Sequence, residues 1–75
     1  MTLDRVKEII SQNTRIDINE IYDDTDLYDD LAIDSVEIFK IITALEDELD
    51  ASLSMAKAMH VKTVSELYDF VNVRM

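Results

Sequence analysis

The sequence predicts an all-α fold, a small four-helix bundle with three longer helices and one short helix. Apolar residues recur at helical spacing in four separate stretches. Residues 15–20 alternate apolar and polar side chains, but no second stretch of this kind exists to pair with them as a strand. The 75 residues, 48% of them hydrophobic, suffice for one core, so a single domain over 1–75 is expected.

The first predicted helix begins after Thr2, a suitable N-cap, and ends near residues 12–14, where polar side chains cluster. Its apolar face consists of Leu3, Val6, Ile9 and Ile10. Residues 15–34 then form a long ordered loop, a type of segment that is usually functional. The loop residues expected to pack on the core are Ile16, Ile18, Ile21, Leu27 and Leu31. Because the sequence has no Gly and no Pro, its turns must rely on Asp, Asn, Ser and Thr.

The second helix is predicted over residues 35–49. Asp34 can cap it, and Glu37 stands three residues later, as in a capping box. Its core-facing apolar residues are Ile38, Ile41, Ile42, Leu45 and Leu49.

A short third helix is expected from Ser54 through His60, with Met55 and Met59 one turn apart. The run Thr63-Val64-Ser65-Glu66 is a full capping box for the last helix. The apolar stripe of that helix consists of Val64, Leu67, Tyr68 and Val71.

Composition excludes several functions. The net charge of −10 repels nucleic-acid phosphates and attracts basic partners. There is no cysteine, and the acidic loop lacks the Gly and terminal Glu of a calcium loop, so no metal site is predicted. No apolar run approaches the length of a membrane span, and no basic-then-apolar segment opens the sequence, so a cytoplasmic protein without membrane insertion is expected.

The candidate functional residue is Ser35, a hydroxyl at a loop-to-helix junction among carboxylates. The pair Asp34-Ser35 alone is explained more simply as capping chemistry. A Ser-His nucleophile is disfavoured, because His60 is the one histidine and is expected on the surface near the end of the third helix. A helix N-terminus does favour a phosphodiester through its free N–H groups and dipole.

The run from Asp29 to Glu37 resembles the prosthetic-group attachment motif of the acyl carrier protein family. Residues 43–50 resemble the second helix of that family, and residues 61–67 resemble the entry into its last helix. The resemblance covers nearly the whole chain. It implies a carrier that is not an enzyme, with 4'-phosphopantetheine on Ser35 and Asp34 aiding recognition by the transferase. Acyl intermediates would be held as thioesters on the arm, in fatty acid or in specialised lipid or polyketide biosynthesis.

The resemblance also implies the partners: a phosphopantetheinyl transferase and acyl-processing enzymes with basic docking patches, which act on a monomer. The docking residues that it implies are Val36, Glu37, Phe39, Lys40, Glu46, Asp47 and Glu48. Packing of Phe39 against the loop is an equal alternative. Some carriers shelter acyl chains among their helices, and the candidates, otherwise plain core, are Ile38, Ile42, Leu45, Leu53, Met59, Val61 and Leu67.

Three departures from the family pattern bear on function. Ala32-Ile33 stands where Gly is usual, and neither residue suits a positive φ, so a different backbone is expected before Ser35. Lys40 stands where fatty-acid carriers are usually acidic, and residues 54–60 contain no acid. A specialised pathway is therefore an open possibility. A carrier of amino acids or peptidyl groups and an unmodified acidic interaction module remain as alternatives.

Overall fold

The computed structural model describes residues 1–72, and in that range it shows four α-helices and no strand. The helices are α1 (Leu3–Gln12), α2 (Ser35–Leu49), α3 (Met55–Ala58) and α4 (Val64–Asn72). The prediction of three longer helices and one short helix is confirmed, and so are the predicted bounds of α2. An isolated bridge between Asp26 and Thr63 is the one β-type pairing in the described range.

The core lies where α1 packs on α2 and α4, and where α3 closes against α2. Its buried residues are Val6, Ile9, Ile10, Ile21, Leu27, Ile33, Ile38, Ile41, Ile42, Leu45, Ala58, Val61, Val64, Leu67 and Val71. This set contains the predicted inner faces of α1, α2 and α4 apart from three half-buried residues: Leu3 and Leu49 at helix ends, and Tyr68 in the middle of α4. In the part of the chain that the structure describes, no helix is long and apolar enough to cross a membrane.

Because the chain has no glycine, polar side chains cap both ends of α1. The hydroxyl of Thr2 accepts a backbone N–H from the first turn of α1 at 3.1 Å. At the other end, the Asn13 amide donates to the carbonyl of Ile9 and the Thr14 hydroxyl donates to that of Ile10, both at 2.8 Å. These side-chain bonds add to those of the backbone N–H of Asn13, which donates to the same two carbonyls at the end of α1. The predicted reliance on Asn and Thr is confirmed here.

The long loop, residues 13–34, contains a 3-10 turn at Ile18–Glu20 that the sequence analysis did not anticipate. None of the turn's residues is buried, and Ile18 is 38% exposed. The prediction that Ile18 packs on the core is therefore wrong, because the turn directs that side chain outward. The other predicted anchors do contact or enter the core: Ile16, Ile21, Leu27 and Leu31.

Backbone hydrogen bonds join this loop to the segment that leads into α4. The N–H of Leu27 donates to the carbonyl of Lys62 at 2.7 Å. In the other direction, the N–H of Val64 donates to the carbonyl of Thr25 at 3.1 Å, and that of Ser65 to the carbonyl of Asp23 at 2.8 Å. The side chains of Lys7 and Asp23 add an ion pair of 2.7 Å between α1 and the loop. The loop is thus fixed on two sides before it reaches Ser35.

The third helix is shorter than predicted. It ends at Ala58, and Met59 is its C-cap, so the predicted extension through His60 is wrong. Only Ala58 of this one-turn helix is buried. Met59, which follows the last helical residue, is 52% exposed, so its predicted place in the core is also wrong. His60 is exposed, as expected.

The start of α4 keeps half of its predicted capping box. The Thr63 hydroxyl accepts the N–H of Glu66 at 3.1 Å, which is the expected cap. The Glu66 carboxylate accepts from that same hydroxyl at 3.3 Å, and not from the backbone N–H of Thr63. The helix therefore has its N-cap without the reciprocal bond.

Candidate functional site

The start of α2 is fixed by a complete capping box. The Asp34 carboxylate accepts the N–H of Glu37 at 2.8 Å, and the Glu37 carboxylate accepts the N–H of Asp34 at 3.3 Å. Two donors that no helical carbonyl could reach are satisfied in this way. The helix therefore begins at a defined residue, Ser35.

Ser35 itself takes no part in the cap. Its side chain is exposed, and no residue in 1–72 forms a hydrogen bond with its hydroxyl. Ser54 offers the contrast, because its hydroxyl caps α3 by accepting the N–H of Lys57 at 3.3 Å. Capping explains Asp34 and Ser54, but it leaves the Ser35 hydroxyl without a structural task.

The backbone before Ser35 is left-handed, contrary to expectation. Ala32 has a φ of 54°. The prediction that Ala32-Ile33 would avoid this region is wrong. The contacts that follow Ala32 explain why: the N–H of Ile33 donates to the carbonyl of Leu27 at 3.0 Å, and the Ile33 side chain is buried. These contacts hold Ala32 in a conformation that its Cβ disfavours.

Ile33 is a positioning residue that the sequence analysis missed. It is only 4% exposed and belongs to the core. A signal for it was present: Ile33 precedes the N-cap of α2, and Ile38 is the fourth helical residue. Apolar residues at these two positions form a hydrophobic staple, which sets the angle at which a chain enters a helix. The angle at Ser35 is thus set from the core.

Aspartates build the acidic loop that leads to the site. The Asp26 carboxylate accepts the N–H groups of Tyr28 and Asp29, both at 2.8 Å, and Asp30 accepts the N–H of Asp26 at 2.8 Å. The bonds from Asp29 and Tyr28 hold the pKa of Asp26 below its usual value. The predicted use of Asp in place of Gly and Pro is confirmed. In residues 1–72 no three His, Asp or Glu side chains group as a metal site would require.

An apolar patch lies on α2 beside Ser35. Val36 is 61% exposed and Phe39 is 58% exposed. Phe39 is absent from the residues that pack against the core. The alternative in which Phe39 packs on the loop is therefore wrong. Both side chains face solvent on the turns that follow the candidate serine.

Three of the predicted docking carboxylates have internal partners: Glu37 in the cap of α2, and Glu46 and Glu48 farther along the helix. Glu46 accepts the N–H of Leu53 at 2.8 Å. Glu48 accepts two bonds from the Arg5 guanidinium, at 3.0 and 3.2 Å. The hydrogen bond from Arg5 holds the pKa of Glu48 below its usual value. The contacts of Glu46 and Glu48 join α2 to the α3 connection and to α1, and spacing along α2 gave no signal for either.

Comparison with known proteins decides the family. A sequence profile described as the phosphopantetheine attachment site matches residues 4–71. The chain belongs to the acyl carrier protein family. It is 34% identical over 68 residues to the acyl carrier protein of Buchnera aphidicola subsp. Schizaphis graminum, which covers 91% of this chain and 86% of that protein. It is 34% identical over 71 residues to the acyl carrier protein of Clostridium acetobutylicum, with 95% and 92% covered.

A solved structure agrees with this result. A protein of Mycobacterium tuberculosis assigned as an acyl carrier protein superposes with a TM-score of 0.82 at 35% identity, covering 95% of this chain and 96% of that one. The predicted family and fold class are therefore confirmed. Acyl carrier proteins are carriers and not enzymes, and they bear a covalently attached 4'-phosphopantetheine. They interact with phosphopantetheinyl transferases and acyl-processing enzymes.

Proposed function

We propose that Ser35 is the attachment residue and that this acyl carrier protein holds acyl intermediates as thioesters on the thiol of its arm. One observation carries the proposal: the Ser35 hydroxyl is exposed at the first residue of α2 and has no hydrogen-bond partner in residues 1–72. Asp34 and Glu37 supply the hydrogen bonds that cap the start of α2, so the cap does not need Ser35. A transferase can therefore modify this hydroxyl without breaking a hydrogen bond of the fold.

The residues at the junction fit a phosphodiester. The first N–H groups of α2 have no preceding helical carbonyl to bond, and the helix dipole favours an anion there. The chain contains no cysteine, so the thiol that holds an acyl group must come from the attached arm. The role of this chain's own residues is to present Ser35 and the surface around it. Asp34 fixes the start of the helix and so also contributes to recognition by the transferase.

The proposed docking face is the exposed side of α2. Val36 and Phe39 supply its apolar contacts, and Glu37, Lys40 and Asp47 supply charge around them. Glu46 and Glu48 border this face, and their carboxylates, like that of Glu37, also accept a hydrogen bond within the fold. The net charge of −10 steers basic patches of partner enzymes toward the protein, which acts as a single-domain monomer in the cytoplasm.

The pathway is fatty acid biosynthesis or a specialised lipid or polyketide route. Two features support a specialised route: the cation at Lys40 on the docking face, and the absence of acids from residues 54–60. Surface charge decides which partners are accepted and which are repelled.

The test is intact mass after incubation with coenzyme A, Mg²⁺ and a broad-specificity phosphopantetheinyl transferase. We expect one added phosphopantetheine on the wild type and none on Ser35→Ala. Ser65→Ala is the matched control, because Ser65 is also an exposed serine in the first turn of a helix. It should be modified as fully as the wild type.

Circular dichroism separates function from folding in this test. Ser35→Ala removes no hydrogen bond of the described residues, so its helix content should match that of the wild type. Modification of folded Ser35→Ala would disprove the assignment of Ser35. A folded wild type that no transferase modifies would favour the unmodified interaction module.

A further inference from the structure

Two adjoining hollows lie along the seam between the end of α1 and the exposed side of α2. The first, about 290 Å³, is lined by Asn13, Phe39, Lys40, Thr43, Ala44 and Asp47. The second, about 300 Å³, is lined by Gln12, Asn13, Thr14, Arg15, Glu37 and Lys40. Asn13 and Lys40 belong to both. The seam is thus one continuous feature with an aromatic end at Phe39 and a cationic end at Arg15.

Lys40 is conspicuous in its surroundings. It is the one Lys or Arg between Arg15 and Lys57 in a sequence that is otherwise rich there in Asp and Glu. None of the ion pairs in residues 1–72 includes Lys40 or Arg15. The acid one turn before Lys40 is Glu37, and its carboxylate is turned back to the N–H of Asp34. Two exposed cations therefore line one hollow without a carboxylate paired to either.

We propose that this seam receives a segment of a partner protein, with an apolar side chain against Phe39 and a carboxylate between Arg15 and Lys40. The proposal rests on the proposed docking face and names the chemistry of the partner there. Charge complementarity supports an acidic group: the second hollow is lined by two cations, and its one acid, Glu37, is engaged in the cap of α2. The other acid of the seam, Asp47, lines the first hollow with Phe39. The exposed ring of Phe39, 58% accessible, supports the apolar contact beside it.

A consequence for selectivity follows from the sign of the charge. A partner whose docking patch is wholly basic would place a cation against Lys40, and like charges in contact oppose binding. A cognate partner would combine basic residues, which meet the acidic remainder of the protein, with one acid that meets this seam. Lys40 then acts as a specificity-determining residue for this carrier.

The experiment uses the modified carrier, confirmed by mass, and an acyl-loading enzyme with a wholly basic docking patch. Its kcat/KM is measured for the wild type, Lys40→Glu and Lys57→Glu. Lys57 is the matched control, because it is an exposed lysine on α3 and its replacement changes the net charge equally. We expect a rise of roughly fivefold for Lys40→Glu, the effect of about one exposed ion pair, and less than twofold for Lys57→Glu.

A charge exchange on the enzyme tests the carboxylate directly. Each Arg or Lys of the patch is changed to Glu in turn. At one position, the enzyme variant with Glu should load the wild-type carrier better than the unaltered enzyme does. The same variant should load the Lys40→Glu carrier less well than the unaltered enzyme does. Equal effects of Lys40→Glu and Lys57→Glu, or no position with this reversal, would overturn the proposal in favour of charge steering at long range.

The same variants keep this proposal separate from the assignment of Ser35. Binding of the unmodified carrier to the enzyme variants is followed by NMR shifts of the backbone amides of Phe39 and Lys40. A carrier that is never modified would disprove Ser35 as the attachment residue while these shifts still report on the seam. A modified carrier without the charge reversal would disprove the seam alone.

Discussion

Two residues with left-handed backbone flank α2, one at each end, and they are held in different ways. Asp50 follows the last residue of the helix with a φ of 52°, and Ala32 lies two residues before the N-cap with a φ of 54°. At Asp50 the conformation completes a common helix ending: the N–H groups of Asp50 and Ala51 both donate to the carbonyl of Glu46. Aspartate also tolerates this region better than most residues do.

Ala32 has neither advantage. It ends no helix, and its Cβ carries the usual cost of a left-handed residue, about 1–2 kcal/mol. Its conformation depends on the contacts made by the residues that follow it, namely the bond from the N–H of Ile33 to Leu27 and the cap at Asp34. The far end of α2 thus follows local preference, whereas the end that presents Ser35 is imposed by the surrounding fold. Strain of this kind is often found beside functional residues.

The largest effect is expected from removing the cap at the imposed end. Asp34→Ala should lower the free energy of unfolding by about 1–2 kcal/mol, because the N–H of Glu37 loses the carboxylate that accepts it, while the backbone N–H of residue 34 can still donate to Glu37. Urea denaturation followed by circular dichroism measures this change. Ser54→Ala, which removes the cap of the one-turn α3, should lower the free energy of unfolding by less. An equal or smaller loss for Asp34→Ala would mean that the cap does not hold the junction.

The next effect compares the two left-handed residues directly. Ala32→Gly should raise the free energy of unfolding by about 1 kcal/mol, since it removes the Cβ that opposes φ near 54°. Asp50→Gly should gain about half as much, because aspartate already tolerates the region. Ala44→Gly, in the middle of α2, should lose about 1 kcal/mol. Thermal and urea unfolding of the three variants give the order, and a loss of stability in Ala32→Gly would refute strain at that residue.

The smallest effect concerns acid stability of the loop before Ala32. Hydrogen bonds from Asp29 and Tyr28 lower the pKa of Asp26 in the folded state, so its ionised form stabilises the fold above the unfolded pKa of about 3.9. That contribution is lost as pH falls through the lowered value. Asp26→Asn should therefore make the decline in stability between about pH 5 and pH 2 shallower. Asp24→Asn is the control, because Asp24 accepts none of the side-chain hydrogen bonds found in residues 1–72, and an identical slope in both variants would argue against the prediction.

Much of the fold could be predicted because the information is local. The bounds of α2 follow from Asp34 at one side and the last apolar residue, Leu49, at the other, and both were read correctly. The ends of α3 and the 3-10 turn at Ile18–Glu20 were not, because a helix of one turn has too few residues for periodicity to mark its limits. Met59 was misplaced for the same reason.

At the candidate site, too, features set by neighbouring residues could be predicted and features set by distant contacts could not. Ser35 and Asp34 could be identified from adjacent residues, and the structure gives them the predicted places at the start of α2. The partners of Glu46 and Glu48 could not be identified in this way. Arg5 lies 43 positions from Glu48, and the partner of Glu46 is a backbone N–H, that of Leu53, which no side-chain pattern marks. The left-handed Ala32 was missed because residue preference argues against it, and only the assembled fold overrides that preference.

The hydrogen bonds between the long loop and the entry to α4 have an evolutionary consequence. All three are made by main-chain atoms, which every amino acid supplies, except proline as a donor. A side chain such as that of Lys62 can therefore be exchanged over generations without loss of these bonds. The surface side chains of this part of the molecule could thus change during evolution, and with them the partners, while the backbone of the fold stays the same.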